Sequence, residues 1–169
     1  FDVQALRRPS GDWWWSAAGE LRDLALTGSG RVPSIGGLAL RLDADAGRGR
    51  VELATRDAEL RSSGVFRQPV AIGELGGLIT WRHQGDGGWH VAGSDLRLAN
   101  ADLRLGARFD LQLGADGRAE IDLQADLGSA AVDRALTHLP VGVMDQRLVA
   151  WLDRALRGGT ISSGTCTLQ

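Results

Sequence analysis

Few side chains in this chain are of types that do chemistry, and their spacing limits what they can do. His83 and His90 flank the stretch QGDGG, so a hairpin there would bring two imidazoles toward one metal ion. A zinc site needs three or four protein ligands and no third one accompanies them, so both are read as solvated strand residues. Asp110, Glu120 and Asp122 supply carboxylates, which hydrolyse glycosides only when paired at a defined separation. Each alternates with apolar residues, which places it on the wet side of a strand. The single Cys166 excludes an internal disulfide and a cysteine-based zinc site. No G-x-S-x-G elbow, P-loop or G-x-G-x-x-G fingerprint occurs. The expectation is a protein that is not an enzyme and needs neither cofactor nor metal.

The elements that would position such residues are strands. Apolar and polar residues alternate in short pieces from Trp13 to Leu127, separated by glycine and aspartate, the pattern of a meander of hairpins. Leu38, Leu40 and Leu42 share one face, then the turn DADAGRGR, then Val51 and Leu53. Ile79 and Trp81 lead into QGDGG and on to Trp89 and Val91. GGL recurs at Gly36–Leu38 and Gly76–Leu78, a faint internal repeat. Leu96 and Leu98 form the next face, followed by Leu103, Leu105, Ala107, Phe109, Leu111 and Leu113. Ile121, Leu123 and Leu127 lie beyond the hairpin signal Asp116-Gly117.

The stretch GDWWWSAAG poses a packing problem. On a strand, Trp13 and Trp15 point to one face and Trp14 to the other, so both faces of the sheet need cover there. Exposed stacked rings would suit a sugar platform, but these sit among glycine and small residues rather than polar partners. They are expected to lie in a core or a groove lining.

After Gly128 the period changes. Ser129 is a candidate N-cap and Pro140 a stop for a short helix carrying Val132, Leu136 and Leu139. A second helix is expected from about Met144 to Leu156, with Met144, Leu148, Trp151, Leu152 and Leu156 as its packing stripe and Gly158-Gly159 beyond its end. The closing GGTISSGTCTLQ reads as the opening of a strand with nothing to pair it, as in an internal fragment of a longer protein. The expected parts are a hairpin sheet over 1–127, a two-helix segment over 128–159 and a truncated strand over 160–169.

Composition narrows the partners. A chain of 169 residues supports one substantial core, and a net charge of -2 without a basic stripe argues against nucleic acid. No apolar run approaches the roughly 20 residues of a membrane span, and FDVQAL does not begin a signal peptide.

The string RALTHLPVGVMDQRLVAWLDRALRGGTISSGTCTL, Arg134 to Leu168, resembles a recurrent segment of the YhdP branch of the AsmA-like proteins. That segment has a YLP triplet, a spacer with leucine or methionine, WL, AL, glycine and a short strand. Here the matching residues are His138-Leu139-Pro140, Met144, Trp151-Leu152, Ala155-Leu156 and Gly158-Gly159. GVFRQPVAIGELGGLITW, Gly64 to Trp81, is similar to that family's strand repeats, and the likeness runs from about Val32 onward. His138 stands where tyrosine is expected, and the tryptophan triplet exceeds the single aromatic expected in its strand.

The resemblance implies a mainly β fold with two short helices, an antiparallel meander bent into a taco-like groove. It implies a parent protein anchored in the bacterial inner membrane and extending through the periplasm, whose groove moves phospholipids toward the outer membrane. Leu38, Leu40, Leu42, Val51, Leu53, Leu96, Leu98, Leu105, Phe109, Leu111, Leu113, Ile121 and Leu123 would then line the groove, in contact with phospholipid acyl chains. Adjacent sections of the same parent protein would continue the sheet, and the isolated chain would dimerise edge to edge. The alternative is a structural or adaptor β-domain that docks protein partners in the envelope.

Overall fold

The computed structural model describes residues 1–7, 13–28, 34–62, 64–128, 130–139 and 141–169, with the backbone alone at 13, 133 and 135. Eight strands follow one another: β1 Asp2–Arg7, β2 Trp13–Leu26, β3 Ser34–Asp45, β4 Arg48–Arg61, β5 Val70–His83, β6 Trp89–Ala99, β7 Arg104–Leu113 and β8 Ala119–Leu127. Each pairs antiparallel with the next. The short strand β9 Ala130–Ala131 leads into a single helical turn, α1 Val132–Ala135, and a 3-10 turn over Leu136–His138. Helix α2 spans Gln146–Ala155, and β10 Thr160–Ile161 returns to pair with β9. Strand β11, Gly164–Leu168, then adds to β8 as the ninth strand of the main sheet.

Two sequence expectations change here. The first expected helix shrinks to one turn plus a 3-10 turn, and its proposed N-cap Ser129 and stop Pro140 lie outside the described residues. The final strand is not left without a partner, because the intervening segment carries it back to the free edge of β8.

The two ends of the sheet are built differently. At one end, three aspartates tie the tight turns. Asp45 Oδ1 accepts from the Gly47 and Arg48 amides, Asp86 Oδ1 from Gly88 and Asp116 Oδ1 from Arg118. Gly87 and Gly117, at φ 88° and 80°, supply the left-handed position that an L side chain resists. At the other end lie the described residues of the longer connections and of the segment after β8. Three of the most buried side chains, Ala58, Val70 and Ile72, gather there, beside Val65 in the connection between β4 and β5.

The strands are bent where the alternation slips. Asp23, Asp57 and Asp95 in β2, β4 and β6 have φ near +50°, and Gly37 and Gly77 in β3 and β5 have φ of 79° and 133°. The pairing registers of β2 with β3, β3 with β4 and β5 with β6 shift at these positions. Such bulges raise local twist and bend the strand, and here they restore the inward face after each slip. Gly37 lies against the Asp57 carbonyl, and Gly77 against Asp95 and Leu96. The GGL repeat in the sequence is thus a repeat of bend positions.

The break between β3 and β4 opens a gap in the ladder, and Thr55 fills it. Its hydroxyl accepts from the Ala39 amide at 2.9 Å and donates to the Ala39 carbonyl at 2.8 Å. Thr55 is only 1% exposed. A side chain therefore serves as the ladder partner that the shifted backbone of β4 withdraws.

The sheet does not close. Accessible surface totals 11363 Å² for a mass of 18.0 kDa, whereas a compact protein of that mass exposes about 8,000 Å². Among the described residues the buried apolar side chains are alanine, valine, leucine and isoleucine, and no large side chain is fully enclosed. The fold is a mainly β, open, groove-like antiparallel sheet.

Candidate functional site

Residues directly opposite each other in an antiparallel pair share a face, so the register can be followed from strand to strand. Gly19 faces Leu42, Leu42 faces Val51, Val51 faces Ile79 and Ile79 faces Gly93. The same row continues through Phe109, Leu123 and Leu168. It crosses eight strands, a path of about 34 Å at the usual strand spacing, without one polar side chain. A parallel row runs from Ala17 through Ala44, Gly49, Trp81, Val91 and Leu111 to Ile121.

Every residue expected to line a groove falls on this one face. Leu40 opposes Leu53, Leu96 opposes Ala107, Leu98 opposes Leu105, and Leu113 lies opposite Trp89. Leu38 opposes Leu24 and is buried at 5% exposure, near the end that carries the long connections. Ile121 is exposed, and the others are half-buried, shielded by neighbours on the sheet. Sequence reasoning missed Leu75 and Ile72 on β5, because Gly73, Gly76 and Gly77 interrupt the period around them.

Aromatic rings on this face lie over glycines. A Cβ added to Gly49 would run into the Trp81 ring, one on Gly93 would meet Phe109, and one on Gly19 would meet Phe1. In each of the first two pairs the residues are direct cross-strand partners. Glycine removes the bump that would lift the ring, and the ring covers the backbone that glycine bares. Large aromatic area is thereby laid along the sheet instead of across the groove.

The tryptophan triplet divides between faces. Trp15 shares the parity of Ala17 and joins the apolar face, 41% exposed, while Trp14 points to the opposite side, half-buried. The side chain of Trp13 lies outside the described residues.

The opposite face is mostly polar, with Trp14 and Leu78 among its charged side chains. Arg41 meets Glu20 at 3.7 Å, Arg50 meets Glu52 at 3.6 Å, and Arg108 donates to Gln124 at 2.6 Å. Exposed pairs like these contribute little stability and chiefly keep this side wet. His90 Nε2 lies 2.6 Å from Asp110 Oδ2 on that face, whereas His83 stacks edge-on against Trp89 on the apolar one. The two histidines therefore do not converge. Asp110 opposes Asp122 and Gln112 opposes Glu120, all along the wet face. Among the described residues no three His, Cys, Asp or Glu side chains are grouped to hold a metal ion.

The segment after β8 is tied to the loop end of the sheet by charge. Asp102 accepts from His138 Nε2 and from Arg134, both at 3.0 Å, and these two bonds, the histidine's first, hold its carboxyl below the usual value. His138 Nδ1 is buried without a partner among the described residues. Arg67 binds Asp153 of α2 at 2.7 Å. In α2, Asp145 caps the amides of Arg147 and Leu148. Met144 precedes this cap, so it lies outside the helix. Of the expected packing stripe, Leu152 and Leu156 are half-buried, but Leu148 and Trp151 are 46% and 56% exposed, and the buried residue is Val149. Among the described residues no helix is long and apolar enough to cross a membrane.

No curated protein and no solved structure matches the chain significantly. A family model described as YhdP protein matches residues 2–169, nearly the whole chain. The chain belongs to the YhdP family of the AsmA-like group, bacterial envelope proteins with a lipid-transport theme.

Proposed function

We propose that the apolar face is one section of a periplasmic conduit that carries phospholipid acyl chains between the inner and outer membranes. The observation that supports this reading is the unbroken apolar row from Gly19 to Leu168 on an open sheet. Removing acyl surface from water there is favourable by about 25 cal/mol per Å². Because the rows run on from strand to strand, a chain can slide along the face while its head group stays in water at the rim. No bond is made or broken. The parent protein would be anchored in the inner membrane, with adjacent sections of the same protein extending the sheet from β1 and β11.

The reading is tested by purifying the 169-residue chain, extracting it with organic solvent and measuring phospholipid by mass spectrometry. Stoichiometric lipid is expected, with loss in Leu111→Asp and Val51→Asp variants that keep their far-UV circular dichroism. A folded, lipid-free wild-type chain would defeat it. The exposed edge strands β1 and β11 favour a second reading, an adaptor that pairs with a protein strand. Lipid-free protein that captures a partner strand would support it.

A further inference from the structure

Helix α2 carries a broad apolar arc of about 160°, and the fold covers only part of it. At 100° per residue, Val149, Leu152, Asp153 and Leu156 lie together on the side that Arg67 ties to the sheet. Leu148 and Trp151 continue the arc outward and are exposed, and Arg147 and Arg154 lie just beyond Trp151. Val143, in the turn just before the helix, is 56% exposed. Arg147, Arg154 and Arg157 are all exposed, and among the described residues none meets a carboxylate. Arg154 and Arg157 spend only Nε, on the carbonyls of Ala150 and Arg154. The two acids of this stretch are occupied, Asp145 as the helix cap and Asp153 by Arg67. The outward side thus offers a tryptophan, a leucine and free positive charge, with no compensating acid.

We propose that this side of α2 docks on an anionic phospholipid surface. Tryptophan is the side chain best suited to the boundary between head groups and acyl chains, where its ring is buried and its N–H stays hydrated. Leu148 would insert beside it, and the arginines would pair with phosphate oxygens through their free nitrogens. A protein partner fits less well. A convex helix of 10 residues offers far less than the roughly 800 Å² per side of a stable protein interface, whereas a lipid surface needs no complementary pocket.

The test is co-sedimentation of the 169-residue chain with vesicles of phosphatidylcholine, alone and mixed with phosphatidylglycerol. Binding to the mixed vesicles is expected, falling as salt is raised. Arg147→Gln with Arg154→Gln should weaken it by about 30-fold, close to fivefold per arginine. Leu148→Ser with Trp151→Ser should weaken it at least about tenfold. All four side chains are exposed, so the sheet should keep its circular dichroism in both variants. Equal binding to the two vesicle types, no binding by the wild type, or unchanged binding by either double variant would overturn the proposal. Lipid extracted from the purified variants reports separately on the groove, so the two ideas can fail independently.

Discussion

Replacing Thr55 by valine removes one hydroxyl and almost no volume, yet it should be among the most damaging single changes in the sheet. That hydroxyl satisfies both the amide and the carbonyl of Ala39 across the break between β3 and β4. Valine keeps the β-branched shape but leaves a buried donor and a buried acceptor without partners. Each unsatisfied group costs about 1–3 kcal/mol, and local relaxation recovers part of it, so the net loss should be about 2–4 kcal/mol. For a chain of this size that lowers Tm by roughly 5–15 °C. Thr55→Ser keeps the oxygen and loses one buried methyl, about 1 kcal/mol, so serine should be the milder change. Urea unfolding of the three proteins, with amide exchange at Ala39, reads both effects. A valine variant as stable as wild type, with Ala39 still protected, would refute the assignment of Thr55 as a ladder partner.

Gly93→Ala should cost about 1–3 kcal/mol, because the new methyl displaces the Phe109 ring lying over it. Gly36→Ala, with open space at its Cβ, is the control in the same unfolding assay. The depressed pKa of Asp102 means that its contribution is present above its ordinary value of 3.8 and is lost as pH falls through the lower folded value. Proteolysis of the 128–163 segment should therefore accelerate at acid pH in the wild type, and Asp102→Asn should flatten that dependence; identical pH profiles would count against the clasp. The unpaired edges of β1 and β11 should let the isolated chain dimerise, and Thr167→Pro, on the edge strand, should weaken that association in sedimentation velocity runs. A monomer at high concentration would argue against edge pairing.

Much of the sheet was legible because leucine recurs at every second position with charge between. Leu105, Leu111 and Leu123 could be assigned to one face from spacing alone, and the register agrees. The bends were not legible. In VELATRDAEL the apolar parity passes from Val51 and Leu53 to Ala58 and Leu60, but spacing alone does not say that Asp57 takes up the slip with a left-handed backbone. Thr55 keeps the parity of Val51 and Leu53, so spacing places it inward, but nothing in the sequence shows that its hydroxyl bonds Ala39 across the ladder break. In α2 four apolar residues, Leu148, Val149, Trp151 and Leu152, spread over one broad arc of about 160°. Periodicity does not say which part of that arc is covered; in the structure Val149 is buried on the side where Asp153 meets Arg67. The single-turn α1 shows the converse: VDRAL has good helix formers but too few residues for a stable nucleus.

In the main sheet each strand from β1 to β8 pairs with its neighbour in sequence, so a strand needs nothing distant before it can form. Such low contact order lets the sheet grow hairpin by hairpin as chain becomes available, with neighbour contacts carrying the cooperativity. It also makes length an adjustable quantity. Gly37 and Gly77 mark corresponding bends in successive hairpins, and duplicating one such unit would lengthen the trough by about 10 Å, two strand spacings. Neither the turn chemistry nor the apolar rows would need redesign. A sheet built this way can be lengthened by copying a segment.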